Sequence, residues 1–123
     1  SENLCFLIAV MQFKDMMGID SRAWTRNWRE IDDILDNSKV HLAQHWPSSR
    51  VSRQAACESM QKIVDTYLTG DAKSEICISQ AVLINTLRRV SLVHIYGPEV
   101  FTEATIDPFK TMKKDILPRF KAS

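Results

Sequence analysis

Residues 4–18 read LCFLIAVMQFKDMMG, and this stretch decides the fold. Its apolar side chains point in nearly every direction around a helical wheel, which is typical of a helix buried inside a domain. A buried strand is disfavoured, because strands usually have about four to eight residues and this run is longer. Gly18 follows the last apolar residue, where a glycine in the left-handed conformation ends many helices. The stretch therefore predicts a central helix that ends at Gly18.

The residues after Gly18 predict a second helix over 22–35. Its apolar side chains recur three or four positions apart, at Trp24, Trp28, Ile31 and Leu35. Asp20 or Ser21 is the expected N-cap, because a short polar side chain can accept a hydrogen bond from the first turn. We interpret the whole segment 18–55 as a helical insertion whose tryptophans pack onto the remaining helices. The alternative is that Trp24 and Trp28 form an exposed anchor for a partner.

Three more helices follow, and the strand-like alternation of polar and apolar residues at 75–79 is short and weak. Residues typical of helix ends mark their boundaries: Ser52 and Gly70, then Ser79, then Asp107 with Pro108, and finally Pro118. Two basic pairs, Arg88-Arg89 and Lys113-Lys114, are interpreted as solvated charges near helix ends, with contact to anionic lipid head groups as the alternative. Because no hairpin signal occurs, the predicted fold class is an all-α helical bundle.

Composition excludes several functional classes. The chain has 123 residues, a length typical of one domain, and 16 basic against 15 acidic residues. A net charge of +1 provides no field for binding nucleic acid, so no nucleic-acid partner is expected. The longest apolar run is too short for a membrane span, which needs about 20 residues. The three cysteines lack paired spacing and are interpreted as reduced thiols.

Candidate catalytic and metal-binding residues are few. His41 and His45 would share a helix face, but no further motif completes a metal site, so solvated histidines are the preferred interpretation. Cys57 or Cys77 could serve as a nucleophile, yet neither has a supporting motif, and packing is the preferred role. The sequence therefore predicts no catalytic residues, no metal and no cofactor.

Asp115 and Arg119 stand four residues apart at the end of the last helix. Side chains at this spacing can form an ion pair, which on a surface contributes at most about 1 kcal/mol. The alternative is functional, since Pro118 between them can bend the chain and hold both side chains outward at a rigid corner.

Several segments resemble the regulator of G-protein signalling domain. Residues 1–14 are similar to the family pattern EENxxFWxAxxxFK, and residues 62–72 and 75–78 are similar to a later helix and the loop after it. Residues 100–104 and 112–120 (MKKDILPRF) resemble CFxxAQ and MxxDSYPRFL. The similarity follows the family's order over residues 1–17 and 59–123. It implies one divergent domain over 1–123, with the insertion and without the family's usual first helices.

The resemblance also implies a function. Members of this family bind the GTP-loaded α subunit of heterotrimeric G proteins and accelerate its GTP hydrolysis, which ends the signal. The chain is therefore expected to be a GTPase activator without catalytic residues of its own. The expected location is cytoplasmic, at the inner face of the plasma membrane, with peripheral membrane contact. The alternative is a non-catalytic scaffold that keeps the fold for docking. The sequence indicates nothing about oligomeric state.

Seven positions match the family's contacts with the switch regions of the α subunit. They are Glu2, Asn3, Cys77, Ser79, Thr111, Asp115 and Arg119. The resemblance implies that Asp115 accepts from a switch amide while Arg119 holds its carboxylate. Many members have asparagine where Cys77 stands, and a thiol is a weak hydrogen-bonding group, so contact with the partner's glutamine is expected to be weaker. Thr111 replaces a usual leucine.

Overall fold

The computed structural model describes residues 2–18, 24, 26–37, 46, 51–69 and 76–122, with the side chains of residues 115–122 excepted. Within these ranges the α-helices are α1 (Glu2–Gly18), α2 (Trp28–Asn37), α3 (Arg53–Ile63), α4 (Gln80–Val90), α5 (Val93–Tyr96) and α6 (Ile106–Ala122). A π-helix (Val64–Leu68) continues α3, and two 3-10 helices (Gly97–Phe101 and Glu103–Thr105) lead into α6. No strand occurs in these ranges, which confirms the all-α prediction.

Helix α1 lies at the centre of the bundle, in contact with α3, α6 and the 3-10 helix Gly97–Phe101. Its buried side chains follow one face: Phe6, Val10, Phe13 and Met17. The Phe13 ring meets Phe101 edge-on, with centroids 5.4 Å apart. The described helix includes Gly18, whose φ is not positive, so the left-handed cap predicted there is wrong. The predicted burial on all sides is also wrong, because Leu4, Ile8 and Met11 on the other side are exposed.

Polar caps position α3 and α4 as predicted. The Ser52 hydroxyl accepts from the Ala55 amide at 3.1 Å, and the Ser79 hydroxyl accepts from the Val82 amide at 3.2 Å. The helix that follows Ser52 widens at its end, where the Thr69 amide donates to the Val64 carbonyl, five residues back, at 2.9 Å. These bonds satisfy terminal backbone groups that a helix cannot satisfy internally.

The last helix differs from its prediction at both ends. Helix α6 begins at Ile106, so Asp107 lies within its first turn and is not the N-cap. The helix also continues past Pro118 to Ala122, where a stop was predicted. Proline has a helical φ angle, and inside a helix it removes one amide donor. The predicted helix end at Pro118 is therefore wrong, whereas the predicted bend at this residue stays a prediction.

The second helix begins later than predicted, at Trp28 instead of residue 22. Asn27 is its cap, since the Asn27 Oδ1 accepts from the Glu30 amide at 2.9 Å. The predicted caps Asp20 and Ser21 lie outside the described residues. Both Trp24 and Trp28 are half-buried against the core, which confirms that the tryptophans of this segment pack onto the bundle.

Trp24 precedes α2 and covers Gly97, a residue with a φ of +57°. A Cβ atom at Gly97 would lie 2.2 Å from the Trp24 ring. Glycine is required here both for this close approach and for the positive φ angle, which side chains rarely allow.

Arg89 of α4 fastens α2 to the bundle and is 2% exposed, so its prediction as a solvated charge is wrong. Its guanidinium donates to both carboxylate oxygens of Asp32 on α2, at 2.6 and 3.3 Å, and to Glu103 at 2.8 Å. The Trp28 ring stacks on it, with the Arg89 Cζ 4.8 Å from the ring centroid. Its neighbour Arg88 is exposed, as predicted.

Tyr96 completes this group, which we call the Arg89 cluster (Arg89, Asp32, Glu103, Trp28 and Tyr96). The Tyr96 hydroxyl donates to Asp32 Oδ1 at 2.5 Å. Burial and the Asp32 carboxylate together raise the pKa of Tyr96 to about 12. Burial alone would raise the pKa of Asp32, but hydrogen bonds from Arg89 and Tyr96 hold it below its ordinary value. The cluster therefore keeps Asp32 ionised and Tyr96 neutral.

Candidate functional site

The segment 76–79 presents two of the predicted site residues. Ile76 is buried and Ile78 packs against the core. Cys77, which lies between them, and Ser79, which follows Ile78, are exposed. The Ile78 amide donates to the Ile76 carbonyl at 3.0 Å, which makes this segment a tight turn before α4. Two apolar anchors two positions apart thus hold Cys77 at the surface.

Asn3 joins this turn to the start of α1. Its Oδ1 accepts from the backbone amide of Cys77 at 3.0 Å, although the two residues are 74 positions apart in the chain. No described residue accepts from the Asn3 Nδ2 group, so this group can donate to an acceptor on a partner.

Thr111 of α6 reaches the same turn from the other side. Its hydroxyl donates to the Cys77 Sγ at 3.2 Å. Asn3, Cys77 and Thr111 therefore form one surface cluster from three distant parts of the chain. We call it the Cys77 cluster.

Glu2 and Ser79 flank the Cys77 cluster. The Ser79 hydroxyl already accepts from Val82, so it serves first as the cap of α4. Glu2 is half-exposed in the first turn of α1. Burial raises the pKa of Tyr67 on the π-helix, and the nearby Cys5 and Glu2 raise it further. Glu2 thus lies within electrostatic reach of the π-helix.

The remaining predicted residues, Asp115 and Arg119, lie on α6 beyond Thr111. Their side chains are outside the described part of the structure, so the predicted ion pair and its contact with a partner stay predictions.

Among the described residues, no group of three or more His, Cys, Asp or Glu side chains is placed to hold a metal ion. His41 and His45 lie outside those residues. Cys57 is half-buried and packs against the core, as predicted. No described helix has the length and apolar character needed to span a bilayer.

The Cys77 cluster can bind through hydrogen bonds. It offers an amide donor at Asn3 and a thiol whose sulfur already accepts from Thr111. The nearby Glu2 adds a carboxylate acceptor. Such groups suit contact with the exposed backbone and polar side chains of another protein.

The sequence predictions missed two features, the burial of Arg89 and the exposure of one apolar face of α1. The burial of Arg89 has no local signal, because its partners Asp32 and Glu103 lie on other elements. The exposed apolar face of α1 does have a signal in the sequence. A helix that is apolar all round has apolar side chains on more than one face, and packing on one face leaves the other exposed.

The comparisons with known proteins give one match. A family model described as "Regulator of G protein signaling domain" matches residues 1–123. No curated protein and no solved structure matches the chain.

Proposed function

The chain belongs to the regulator of G protein signaling domain family, and from this we propose that it is a GTPase-activating regulator of heterotrimeric G-protein α subunits. It binds the GTP-loaded α subunit at the cytoplasmic face of the membrane and ends its signal. The Cys77 cluster, with Glu2, Ser79, Asp115 and Arg119, is the proposed contact surface.

The proposed mechanism needs no catalytic residue from this chain. A G-protein α subunit carries its own arginine for the transferring phosphate and a glutamine for the attacking water. A partner that binds the switch regions most tightly in their transition-state geometry lowers the barrier to hydrolysis. Hydrogen-bonding groups on a rigid surface suit this task, because they are held in place before the partner arrives.

The observation that carries the proposal is the meeting of Asn3, Cys77 and Thr111. The family resemblance assigned these three residues to one contact surface, although they come from three distant segments. Their hydrogen bonds bring them together in the folded chain.

Single-turnover GTP hydrolysis by a panel of α subunits, with and without the domain, tests the proposal. We expect acceleration by the domain and at least a tenfold loss with Asn3→Ala. The matched control is Gln54→Ala, which removes an exposed amide that bonds within α3. A rate that stays unchanged at saturating domain for every α subunit would exclude GTPase activation for that panel.

Asp115→Ala tests the part of the surface carried by α6. We expect loss of binding to an α subunit loaded with GDP and aluminium fluoride, which mimics the transferring phosphate. The melting temperature should change little. Equal affinity of variant and parent would show that Asp115 does not belong to the contact surface.

A second function is favoured by Cys77 itself. Its sulfur accepts from Thr111, and a thiol is a poor replacement for the amide that many family members have at this position. The domain would then bind α subunits as a scaffold without accelerating hydrolysis. Cys77→Asn distinguishes the two functions: a scaffold gains acceleration from this change, whereas an efficient activator changes little.

A further inference from the structure

Thr111 and Cys77 are joined by a direct side-chain contact within the proposed contact surface. The Thr111 hydroxyl donates to the Cys77 Sγ at 3.2 Å, across 34 positions of the chain. Leucine, the usual family residue at position 111, has no hydroxyl and could not form this bond. The bond therefore links two residues at which this chain differs from the common family pattern.

This bond restricts what the Cys77 side chain can offer to another protein. The backbone amide of Cys77 donates to the Asn3 Oδ1 at 3.0 Å, and its sulfur accepts from Thr111. A thiol has one proton, which is a weak donor. Because the Thr111 proton lies between the hydroxyl oxygen and the sulfur, the thiol proton of Cys77 must point elsewhere. Cys77 is exposed, so this proton is accessible to a partner.

We propose that Thr111 is a positioning residue, which holds the Cys77 sulfur as an acceptor so that the thiol proton is directed outward and donates to a carbonyl oxygen of the α subunit. This inference rests on the proposed function and adds the direction of hydrogen bonding at Cys77. The Asn3 Nδ2 group of the same cluster can also donate. Two neighbouring donors suit a partner segment that presents carbonyl oxygens.

The S–H stretching band of Cys77 tests the orientation of the thiol in the free domain. Infrared difference spectra of the parent against Cys77→Ala isolate this band from those of the other two cysteines. The same subtraction is made for each variant at position 111. We expect Thr111→Val to broaden the band, because the thiol can then adopt several rotamers. Thr111→Ser keeps the hydroxyl and should restore the narrow band.

A complex with an α subunit loaded with GDP and aluminium fluoride tests the donor role. Donation weakens the S–H bond, so the Cys77 band of the parent should move to lower wavenumber in the complex. Thr111→Val and Cys77→Ala should each lower the affinity about fivefold, as expected for one neutral hydrogen bond. The double variant should lose no more than either single variant, because Thr111 acts through the thiol.

Thr66→Val is the matched control, since Thr66 is an exposed threonine of the π-helix. Threonine and valine are both β-branched, so the two Thr→Val variants have similar effects on the backbone. Thr66→Val should change neither the Cys77 band nor the affinity.

Three results would overturn the proposal. A Cys77 band that moves to higher wavenumber in free Thr111→Val would show that the thiol donates to Thr111. A band that does not move in the complex would show that the thiol donates to no acceptor there, and additive losses of affinity would show that Thr111 acts independently of Cys77. Absence of binding between the parent and every α subunit tested would contradict the proposed function, whereas the spectra of the free domain would still decide whether Thr111 orients the thiol.

Discussion

Arg89 places a guanidinium among the packed side chains of α4, where it meets two carboxylates and an aromatic ring. A buried charge of this kind is tolerated because every partner is in place. Removing it leaves Asp32 and Glu103 without their cation. The free-energy cost of burying these unpaired carboxylates then lowers the stability of the folded state.

We therefore expect Arg89→Ala to lower the free energy of unfolding by about 3–5 kcal/mol. Arg88→Ala is the matched control, since Arg88 is exposed one position earlier, and its effect should stay within about 0.5 kcal/mol. Urea denaturation of both variants gives the comparison. Similar losses in the two variants would mean that the cluster contributes little.

Tyr96 gives a prediction for alkaline pH. Its pKa is about 12 in the folded chain against an ordinary value of 10.0, so the stability it contributes is fully present below pH 10. That contribution is lost as the pH rises through about 12. Tyr67→Phe leaves Tyr96 as the only tyrosine, since the chain has two. Its tyrosinate absorbance should then appear near pH 12.

Asp32→Asn in that same background removes the carboxylate beside Tyr96, so its tyrosinate should appear at a lower pH. An unchanged titration would contradict the role of Asp32.

At acid pH the stability depends on Asp32. Its pKa is lowered in the folded chain, so the stability that its carboxylate contributes is present above the ordinary pKa of 3.8. It is lost as the pH falls through the lower folded value.

At the scale of elements, α2 depends on aromatic packing to stay on the bundle. Trp28 stacks on Arg89, and Trp24 covers Gly97 and meets Trp46 edge-on at 5.5 Å. The described contacts of α2 with the other helices are mainly with α5. Besides the tryptophans, α2 is held by the Asp32 bonds to Arg89 and Tyr96 and by the buried Ile31 side chain.

The double variant Trp24→Ala/Trp28→Ala should lose about 3 kcal/mol or more of unfolding free energy, as expected for large aromatic truncations. Amide exchange within Trp28–Asn37 should accelerate more than exchange within α1. Phe109→Ala is the control, because that ring is largely exposed on α6. An unchanged melting temperature in the double variant would refute this role of the tryptophans.

Local signals predicted most of these elements. Ser52 and Ser79 act within one turn of their own positions, and each caps the helix that it precedes. The start of α2 was missed because Asn27 caps it, whereas Asp20 and Ser21 had equally suitable side chains. The interpretation of 18–55 as an insertion stays a prediction.

The site was predictable only in part. The meeting of Asn3 with Cys77 was implied by family resemblance, and no periodicity could have indicated it, because the residues lie on different elements. The burial of Arg89 could not be predicted from α4 alone, since it depends on where α2 docks. Pairings between distant segments are set by packing, which a single helix pattern does not contain.

At the scale of the whole molecule, the Cys77 cluster links three regions: the start of α1, the turn before α4 and the middle of α6. The Asn3 side chain is one of its two described links, because its Oδ1 accepts from the Cys77 amide. The geometry of the turn thus depends on the end of a helix far away in the chain.

Hydrogen exchange at the Cys77 amide tests this dependence without any partner protein. Asn3→Ala removes the acceptor, so exchange should become at least tenfold faster. Gln54→Ala should leave it unchanged. Equal exchange in parent and Asn3→Ala would show that Asn3 does not hold the turn.

The Arg89 cluster also limits how the domain can be shortened. Excision of residues 24–37 would leave the contacts between α1 and α3 in place. It would nevertheless strip Arg89 of Asp32 and of the Trp28 ring, leaving a guanidinium facing Glu103 alone. A minimal version of the domain must therefore replace Arg89 and Glu103 together with apolar residues, or retain the segment that neutralises them.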